Sequence, residues 1–556
     1  MDNLNIENKE NKTLHLWCWL VFFIYIGLRG LAWSVTVLLE DPDSIYLMYD
    51  IKTFMTFNLS KIIALRADAT PLYPFFSALC SLPGWSVEFG ARLSSMVFSA
   101  LLFFFVFLIG NRFAKKYAVL FGLLILSFNP TLIPLSYSIL TESSYIAICY
   151  LGLWLFLVQY RNPKLWQSAL LGIVFGLSFL SRTEGLLYIA IIPFIQVTCY
   201  LLFNRKDYGV KKLIGSVLLY VLFFSIMAGP QIWRVSQRIG RFAINGRQVW
   251  TLILKNNDQK SYHEKILGLD YSSKRINLGY VQSHPEAIDE LSAKTEIKSF
   301  VKNSLHEFDT LYQKNLGILI GPLGIIFFAL GLLALFQGGC RSECFIFLAF
   351  IASALVAPLI HNVTIRHIAV IAPLIMLIEG VGIAYLTNVI TEDKAPRHYG
   401  QVLVPAVSLC AVIGAFCMPL KTIYLDQPKY NFDYNPATVK RLAGHLNQYA
   451  REASMEAPKI VSRKGNLAFY AKMEGFPIPY TTYEKFIRYC GLNEIDFMFF
   501  EHRLLKKYPF YQEWISREQK EGLTLLYREI DDFNKPIELF YFDKTKLRGN
   551  RNEQIQ

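Results

Sequence analysis

The stretch LEDPDSIYLMYDIKTFMTFNLSKIIALRADATPLYPFF, residues 39–76, follows directly on the first long apolar run of the chain, residues 14–39. It opens with the acids Glu40, Asp41, Asp43 and Asp50 and continues with Lys52, Lys61 and Arg66. A helix that crosses a bilayer needs roughly 17–25 mostly apolar residues, and residues 14–39 meet that requirement. The sequence therefore predicts that residues 39–76 leave a membrane span and lie at the membrane surface.

The composition of the whole chain is typical of a multi-span membrane protein. Of its 556 residues, 53% are hydrophobic, 15% are aromatic and only 18% are charged. Because several apolar runs are long enough to cross a bilayer, we predict a polytopic α-helical membrane protein with about eleven transmembrane helices. The runs are residues 14–39, 93–110, 118–136, 143–160, 168–181, 186–203, 211–229, 316–337, 343–360, 366–389 and 401–420.

The short loops between these runs predict the orientation. If the N-terminus is cytoplasmic, the inside loops carry the excess of Lys and Arg, as the positive-inside rule requires. The loop 40–92 and the C-terminal tail then lie outside.

The net charge of +13 fits such loops and contacts with lipid headgroups, and no signature of a nucleic-acid partner accompanies it. The nine cysteines match neither a disulfide framework nor a zinc site.

The chain divides by composition into two predicted domains. Residues 1–420 form a transmembrane domain with outer loops at 40–92 and 230–315, and residues 421–556 form a small extramembrane α/β domain. Within this tail we predict strands at 458–462, 496–500 and 537–542 and amphipathic helices at 436–452 and 509–521.

The opening loop contains two predicted helix starts. Asp41-Pro42-Asp43 combines a capping residue, a proline suited to the first helical position and an acid near the positive end of the helix. Thr70-Pro71 repeats this pattern. The helix that follows Asp43 would place Leu47, Ile51, Phe54 and Met55 on one face, as in a helix lying at the interface. Asp41 and Asp43 therefore have a purely structural interpretation beside any catalytic one.

Three more polar clusters lie at predicted outer ends of helices. The third span is broken by Asn129-Pro130 and leads to Leu140-Thr141-Glu142, the fifth leads to Ser181-Arg182-Thr183-Glu184-Gly185, and the tenth is preceded by His361 and begins at Arg366-His367. Arg182 and Glu184 could form a local ion pair, and Arg366 could extend to lipid headgroups. Arg29 and Glu379 lie inside predicted spans, either in functional roles or as paired structural groups.

The ordered set of these motifs resembles GT-C-type glycosyltransferases, which include protein O-mannosyltransferases, the lipid A aminoarabinose transferase and rhizobial lipopolysaccharide sugar transferases. The matching stretches are Asp43-Ser44-Ile45-Tyr46, Thr70-Pro71-Leu72-Tyr73-Pro74, Leu140-Thr141-Glu142, Ser181–Gly185, Gly229-Pro230-Gln231-Ile232-Trp233-Arg234, Arg366-His367 and, in the tail, Asn466-Leu467-Ala468-Phe469-Tyr470. The resemblance implies transfer of a sugar, with inversion, from a polyprenyl-phosphate carrier to a hydroxyl of a glycolipid, glycan or protein. It also implies a cell-envelope enzyme in the bacterial inner membrane, with its site on the extracytoplasmic side.

The resemblance also implies roles for individual residues. Asp43 would be the general base, and Glu142 would orient the acceptor or bind a divalent metal ion, the one cofactor left open. Cations near the leaving phosphate would stabilise its charge, and the candidates are Arg66, Arg182, Arg234, Arg366 and Lys52. Contacts with the acceptor or the sugar are assigned to Asp41, Tyr46, Tyr73, Glu184 and His361.

The chain departs from the pattern at two positions. Many relatives carry Asp-Glu where this chain has Asp43-Ser44, so that Asp41 or Glu40 could share the role of the base. Relatives also often carry a basic residue where Ala69-Thr70 stand, and Arg66 is the candidate substitute. Two alternatives to the enzyme stay open: a transporter or flippase of lipid-linked sugars, and a non-catalytic protein that binds them.

Overall fold

The fold is taken from a computed structural model. It describes residues 2–35, 42–66, 68–205, 207–240, 242–244, 269, 317–360, 365–393, 405–411, 414, 436–463, 465–501, 523–530 and 536–543. The chain divides into two compact units. The first holds residues 1–36, 50–235 and 301–426, and the second holds 37–49, 236–300 and 427–556.

The first unit is built from the following α-helices, except that residues 42–49 and 236–239 belong to the second unit. In chain order the helices up to residue 239 are α1 Asp2–Val35, α2 Pro42–Met55, α3 Leu59–Ile63, α4 Leu72–Ser81, α5 Val87–Phe113, α6 Lys116–Phe128, α7 Leu132–Leu135, α8 Glu142–Gln159, α9 Leu165–Ser181, α10 Tyr188–Cys199 and α11 Val210–Ile239. They are followed by α12 Gly317–Ile320, α13 Pro322–Gln337, α14 Arg341–Ile360, α15 Ile365–Ile368 and α16 Ala372–Asp393. A 3-10 turn Thr183–Leu187 precedes α10, and Ala369–Ile371 joins α15 to α16.

The predicted class, a polytopic helical membrane protein, is confirmed. Among the described residues, six helices are long and apolar enough to cross a membrane, and four shorter apolar helices accompany them. Ten of the eleven predicted apolar runs coincide with described helices, and of the last, 401–420, residues 405–411 are helical. The predicted break at Asn129-Pro130 is also found, since α6 ends at Phe128 and α7 begins at Leu132.

The opening segment contains both predicted helices and one more. α2 begins at Pro42, and Leu47, Ile51 and Phe54 on the predicted apolar face are buried in the protein. α4 begins at Leu72 without the predicted side-chain cap at Thr70, because its N-cap is Pro71. The sequence did not predict α3, in whose first turn the N–H of Lys61 donates to the side chain of Asn58.

Helix α16 packs between α6 and α13, and its glycines lie against the backbones of both helices. A Cβ atom at Gly380 would collide with backbone atoms of Ala118 and Gly122 in α6, and one at Gly382 would collide with the carbonyl of Phe327 in α13. Small residues at such crossings let helix backbones approach closely in a membrane. This packing fixes α16 and with it the segment that carries Arg366.

Glu379 of α16 is fully buried in the same packing. Neither of its carboxyl oxygens has a hydrogen-bond partner in the part of the chain that the structure describes. A Cβ atom at Gly324 of α13 would lie 2.6 Å from its Oε1, so the carboxyl lies directly against the backbone of α13.

We expect Gly380→Ala to lower the free energy of unfolding by about 1–3 kcal/mol, because the added methyl would push α6 and α16 apart. Thermal unfolding in detergent, followed by tryptophan fluorescence, measures the loss. Gly27→Ala in α1 is the matched control, since a Cβ there meets no atom within 4 Å. Equal melting temperatures for the two variants would contradict this account of the crossing.

The second unit contains an α/β sheet domain. Its elements are α17 Pro436–Glu452, β1 Lys459–Ser462, α18 Asn466–Ala471, β2 Glu474–Pro477, α19 Tyr483–Leu492, β3 Phe497–Glu501, β4 Leu523–Ile530 and β5 Pro536–Phe542. The strand order is β2-β1-β3-β5-β4; β2 and β3 run parallel to β1, whereas β5 is antiparallel to β3 and β4. The three predicted strands and the predicted helix 436–452 are all present. The predicted helix 509–521 lies outside the described residues.

Strand β3 is covered by helices on both faces of the sheet. Phe497 and Phe499 pack on the side of α17 and α18, and Met498 and Phe500 pack on the side of α19. A strand that is buried on both faces reads as a continuous apolar run rather than an alternating one, as this one does.

Candidate active site

The candidate site lies at the start of α8. This helix follows the break in the chain after the end of α6. Asn129 forms this break, because its Oδ1 accepts from the N–H groups of Thr131 and Leu132, at 3.1 and 3.0 Å. Its Nδ2 donates to the carbonyl of Leu319 at 3.1 Å, which ties the turn to α12. The segment then delivers Glu142 as the first residue of α8.

Arg29, which the sequence left without a role, supports the same break. It is fully buried, and its Nη1 donates to the carbonyls of Tyr25 and Ser127 at 3.1 Å. Its Nη2 lies 3.4 Å from the carbonyl of Leu126. Carbonyls in the last turn of a helix lack partners within the helix, so Arg29 satisfies the end of α6.

An ionic cluster then forms around Glu142. Nη1 of Arg182 lies 2.5 Å from Oε1 of Glu142, and Nη2 of Arg182 lies 2.6 Å from Oε1 of Glu184. Nε of Arg366 lies 3.6 Å from the same Oε1 of Glu142. We call Glu142, Arg182, Glu184 and Arg366 the ionic cluster; it joins three segments that are far apart in sequence.

The two arginines of the ionic cluster differ in access. The side chain of Arg182 is 11% exposed and that of Arg366 is 25% exposed. Burial alone would lower the pKa of Arg182, but the charges of Glu142 and Glu184 outweigh it and raise that pKa above its ordinary value. Arg182 is thus held as a cation between two acids, whereas Arg366 has the more accessible charge.

A small cavity adjoins the ionic cluster. Its polar lining comes from Tyr145, Glu184, Tyr188, Ser353 and His367, and apolar residues of the surrounding helices complete it. The sequence singled out Glu184 but not Tyr145, Tyr188 or Ser353. Tyr145 and Tyr188 lie within predicted apolar spans, where a tyrosine gives no signal that separates cavity lining from core.

The surroundings of Glu142 do not fit a divalent metal ion. Two guanidinium groups face its carboxylate, and their charge opposes a cation at that position. No group of three His, Cys, Asp or Glu side chains that could hold a metal occurs among the described residues. The ionic cluster is instead suited to an anion placed beside Arg366.

A second polar cluster lies in the first unit at the end of the opening segment. Nη2 of Arg66 lies 2.9 Å from Oδ2 of Asp50, and Nη1 lies 3.2 Å from Asp68. Burial raises the pKa of the Asp50 carboxyl even though Arg66 opposes this effect through its charge and its hydrogen bond. Arg66 is therefore engaged by two acids, of which the sequence had identified only Asp50.

Arg234 binds the backbone of the same segment. Its guanidinium donates to the carbonyls of Leu65, Arg66 and Ala69 at 2.8–3.1 Å, and Nε2 of Gln231 also donates to Ala69. Ala69 stands where relatives often carry a basic residue, and here its carbonyl is held by α11. This arrangement gives Arg234 a structural use beside its predicted role at a phosphate.

The other predicted residues lie in different environments. Asp43 is half-buried in α2 and belongs to the second compact unit, as does the exposed Tyr46, whereas the exposed Lys52 belongs to the first. Tyr73 is fully buried, and its hydroxyl lies 2.9 Å from the carbonyl of Ala91 and 3.0 Å from Oγ of Ser95. Asp41 and His361 lie outside the described residues.

The sequence also matches a family model and the fold matches solved structures. Residues 68–233 match the model for dolichyl-phosphate-mannose-protein mannosyltransferases, a region that includes Glu142, Arg182 and Glu184. Among curated proteins, none matches the chain.

Two groups of solved structures share the fold over most of the chain. Oligosaccharyltransferase AglB from Archaeoglobus fulgidus, in complex with an inhibitory peptide and a dolichol-phosphate, aligns with a TM-score of 0.59 and 12% identity over 89% of this chain and 70% of its own. ArnT from Cupriavidus metallidurans aligns in its apo state with a TM-score of 0.54 and 11% identity over 96% of this chain and 98% of its own. The ArnT structure bound to undecaprenyl phosphate gives a TM-score of 0.52.

At 11–12% identity these matches concern the fold. Both proteins are GT-C glycosyltransferases, and both alignments extend well beyond the region matched by the family model. The resemblance predicted from the sequence is confirmed: this chain is a helical membrane protein with the fold of the GT-C glycosyltransferases.

Proposed function

We propose that this protein transfers a sugar from a polyprenyl-phosphate carrier to a hydroxyl of a glycolipid, glycan or protein acceptor at the outer face of the membrane, with inversion. The observation that carries the proposal is the ionic cluster, two acids and two arginines whose side chains are 4–25% exposed, in a chain with the GT-C fold. The presence of dolichol-phosphate in the AglB complex and undecaprenyl phosphate in the ArnT complex supports the class of carrier.

Arg366 is the proposed contact for the donor phosphate. The leaving polyprenyl phosphate gains negative charge as the bond to the sugar breaks, and a fixed cation at that point stabilises the transition state. Arg366 is the more exposed arginine of the cluster, and its distance of 3.6 Å from Glu142 is beyond a hydrogen bond. In this proposal Glu142 keeps the charge of Arg182, at 2.5 Å, and that of Arg366, at 3.6 Å, close to the donor phosphate.

Asp43 is the proposed general base. A sugar or protein hydroxyl is a weak nucleophile, and a positioned carboxylate that removes its proton contributes typically about 10²–10⁴-fold to the rate. Attack of the hydroxyl oxygen on the anomeric carbon, from the face opposite the phosphate, forms the new glycosidic bond and expels the polyprenyl phosphate. The proton passes to Asp43, and the configuration at the anomeric carbon inverts.

We expect Arg366→Ala to raise the KM for the polyprenyl-phosphate sugar about 10-fold or more, because a charged contact with a phosphate is worth roughly 1.5–3 kcal/mol. The KM for the acceptor should change by less than about twofold. Initial rates measured over a grid of both substrates separate the two constants.

Arg161→Ala is the control for this variant. Arg161 pairs with Glu343 at 2.8 Å at the opposite end of α8, so both KM values should stay near those of the wild type. If both the donor KM and kcat are unchanged in Arg366→Ala, the residue does not belong to the phosphate site.

The two alternative functions predict different results for the purified protein in vesicles. An enzyme incorporates a radiolabelled sugar into an acceptor when it is supplied with a polyprenyl-phosphate sugar. A flippase moves the lipid-linked sugar between leaflets without incorporation, and a non-catalytic binding protein does neither. Transbilayer movement without transfer would overturn the proposed function.

A further inference from the structure

The first two turns of α2, which carry Asp43, pack against the sheet domain within the second compact unit. Cγ2 of Ile45 lies 3.5 Å from the position that a Cβ of Gly465 would occupy, at the residue before α18. The rings of Tyr49 and Phe469 meet edge to face, with centroids 5.2 Å apart. All five residues belong to this unit. The sheet domain therefore contacts the start of α2 at two points.

The two contacts use one face of α2. Ile45 and Tyr49 are neighbours on the helix surface, because residues four apart lie on the same face. Asp43 precedes Ile45 by two residues and lies roughly on the opposite face, since successive residues of a helix are rotated by about 100°. Both contacts thus lie on the side of α2 that faces away from the Asp43 carboxylate.

The first turn of α2 depends on support from outside the helix. The first N–H groups of a helix have no acceptor within it, and helix ends fray. Asp43 is the second residue of α2, and Ile45, in the same turn, is only 1% exposed. Contacts at Ile45 and, one turn later, at Tyr49 fix both the position and the direction of this part of the helix. They place Asp43 without touching its side chain.

Helix α18 connects these contacts to the core of the sheet domain. Its residues Leu467, Ala468 and Ala471 are buried in the apolar core that also includes α17 and β1. Among the described residues, neither of the two apolar cores of the sheet domain includes Phe469. Its ring meets Tyr49, so α18 has an inner face that anchors it and an outer residue that reaches α2.

We propose that Phe469 is a positioning residue for sugar transfer: through its contact with Tyr49, the sheet domain holds α2 and places Asp43 where its carboxylate accepts the proton. This inference rests on the proposed function, since it assigns Phe469 a part in the same reaction. It also gives the C-terminal domain a use in the reaction, in addition to forming its own core.

The first experiment tests the placement and needs no enzyme activity. In a background whose native cysteines are replaced by serine, the pair Tyr49→Cys and Phe469→Cys is expected to cross-link in membranes with a short bifunctional thiol reagent. The pair Tyr49→Cys and Leu525→Cys should not cross-link. Leu525 is exposed, but its strand β4 lies three strands from β1, about 14 Å across the sheet. Equal cross-linking of both pairs, or none of the first pair, would overturn the placement.

The second experiment tests the role through kinetics. Phe469→Ala is expected to lower kcat for sugar transfer about 10- to 100-fold, since a displacement of about 1 Å at a reacting group costs up to that much. Both KM values should change by less than about twofold, because Phe469 contacts neither substrate in this proposal. Phe469→Tyr keeps the ring and should retain most of the wild-type kcat. Tyr49→Ala should lower kcat in the same direction, because it removes the other ring.

A double variant separates positioning from a general loss of structure. If Phe469 acts through Asp43, the two substitutions are coupled and their effects do not add. In the Asp43→Asn background, Phe469→Ala should therefore have little further effect on kcat, because the base that it positions is already lost. A full 10- to 100-fold further loss in that background would overturn the positioning role.

Phe476→Ala is the control for loosening of the sheet domain. Phe476 is partly buried and packs on the side of α19, so that the same truncation is made on the opposite face of the sheet from α18. Its kcat should stay near that of the wild type, and an equal kcat for Phe469→Ala would overturn the role of Phe469. Absence of transfer in the wild-type protein would instead refute the proposed function, and the cross-linking result would still decide the placement.

Discussion

Asp43→Asn is expected to reduce sugar transfer about 10²–10⁴-fold, because the amide keeps the size of the side chain and loses the capacity to accept a proton at neutral pH. The reduction should appear in kcat, while the KM values for donor and acceptor change little. Single-turnover transfer from a radiolabelled polyprenyl-phosphate sugar measures the chemical step directly. Thermal unfolding should be close to that of the wild type, since Asp43 is half-buried rather than part of the core.

Glu494→Gln is the control for this prediction. Glu494 is an exposed acid of the same compact unit and lies 3.7 Å from Lys459, so that the same change of charge is made away from α2. Its transfer rate should match that of the wild type. Full activity of Asp43→Asn would show that another group, such as Asp41 or Glu40, is the base.

The second large effect is expected for Arg182→Gln, which should lower the free energy of unfolding by about 3–5 kcal/mol. The substitution leaves Glu142 and Glu184 without the cation that contacts both, at 2.5 and 2.6 Å. A carboxylate that is largely removed from water is costly without a charged partner, and these two side chains are only 4% and 14% exposed. Thermal or denaturant unfolding in detergent measures the loss.

A double variant separates the charge effect from a loss of packing. If the uncompensated acids cause the instability, Arg182→Gln combined with Glu184→Gln should be more stable than Arg182→Gln alone. Arg441→Gln is the control, because the pair of Arg441 and Glu529 lies at the surface, and exposed pairs contribute little. An Arg182→Gln protein as stable as Arg441→Gln would contradict the role of Arg182 as the centre of the cluster.

The sequence was sufficient for the class of protein and for most of its helices. Long apolar runs identify spans directly, and the break at Asn129-Pro130 was visible because a proline cannot donate to the helix. The ordered motifs also identified all four residues of the ionic cluster. The spans and the break depend on residues close together in the chain, whereas the cluster residues were identified through the family resemblance of the ordered motifs.

Contacts between distant segments could not be predicted from a single sequence. Nothing in the spacing of Glu142 and Arg366 indicates that they approach to 3.6 Å. Arg66 and Arg234 were predicted as phosphate ligands because the reaction that the resemblance implies needs cations at the leaving phosphate. In the folded chain, Arg66 faces Asp50 and Asp68, and Arg234 donates to carbonyls of the opening segment.

Short elements of the tail were missed for another reason. Strand β2, with the sequence Glu-Gly-Phe-Pro, is an edge strand of four residues, too short and too polar to signal a strand. Strand β4 at the opposite edge has one exposed face and a bulge. Edge strands carry weaker sequence patterns than the buried β3, which was predicted.

The buried carboxyl of Glu379 has a consequence for how the protein is made. An acidic residue near the centre of a span, such as aspartate, costs roughly 2.5–3.5 kcal/mol when the helix enters lipid alone. During synthesis, α6 and α13 precede α16, and their glycines Gly122 and Gly324 form the surface that receives it. Because α6 and α13 precede α16 in the chain, both helices exist before α16 is made, and packing against them moves Glu379 from lipid into protein.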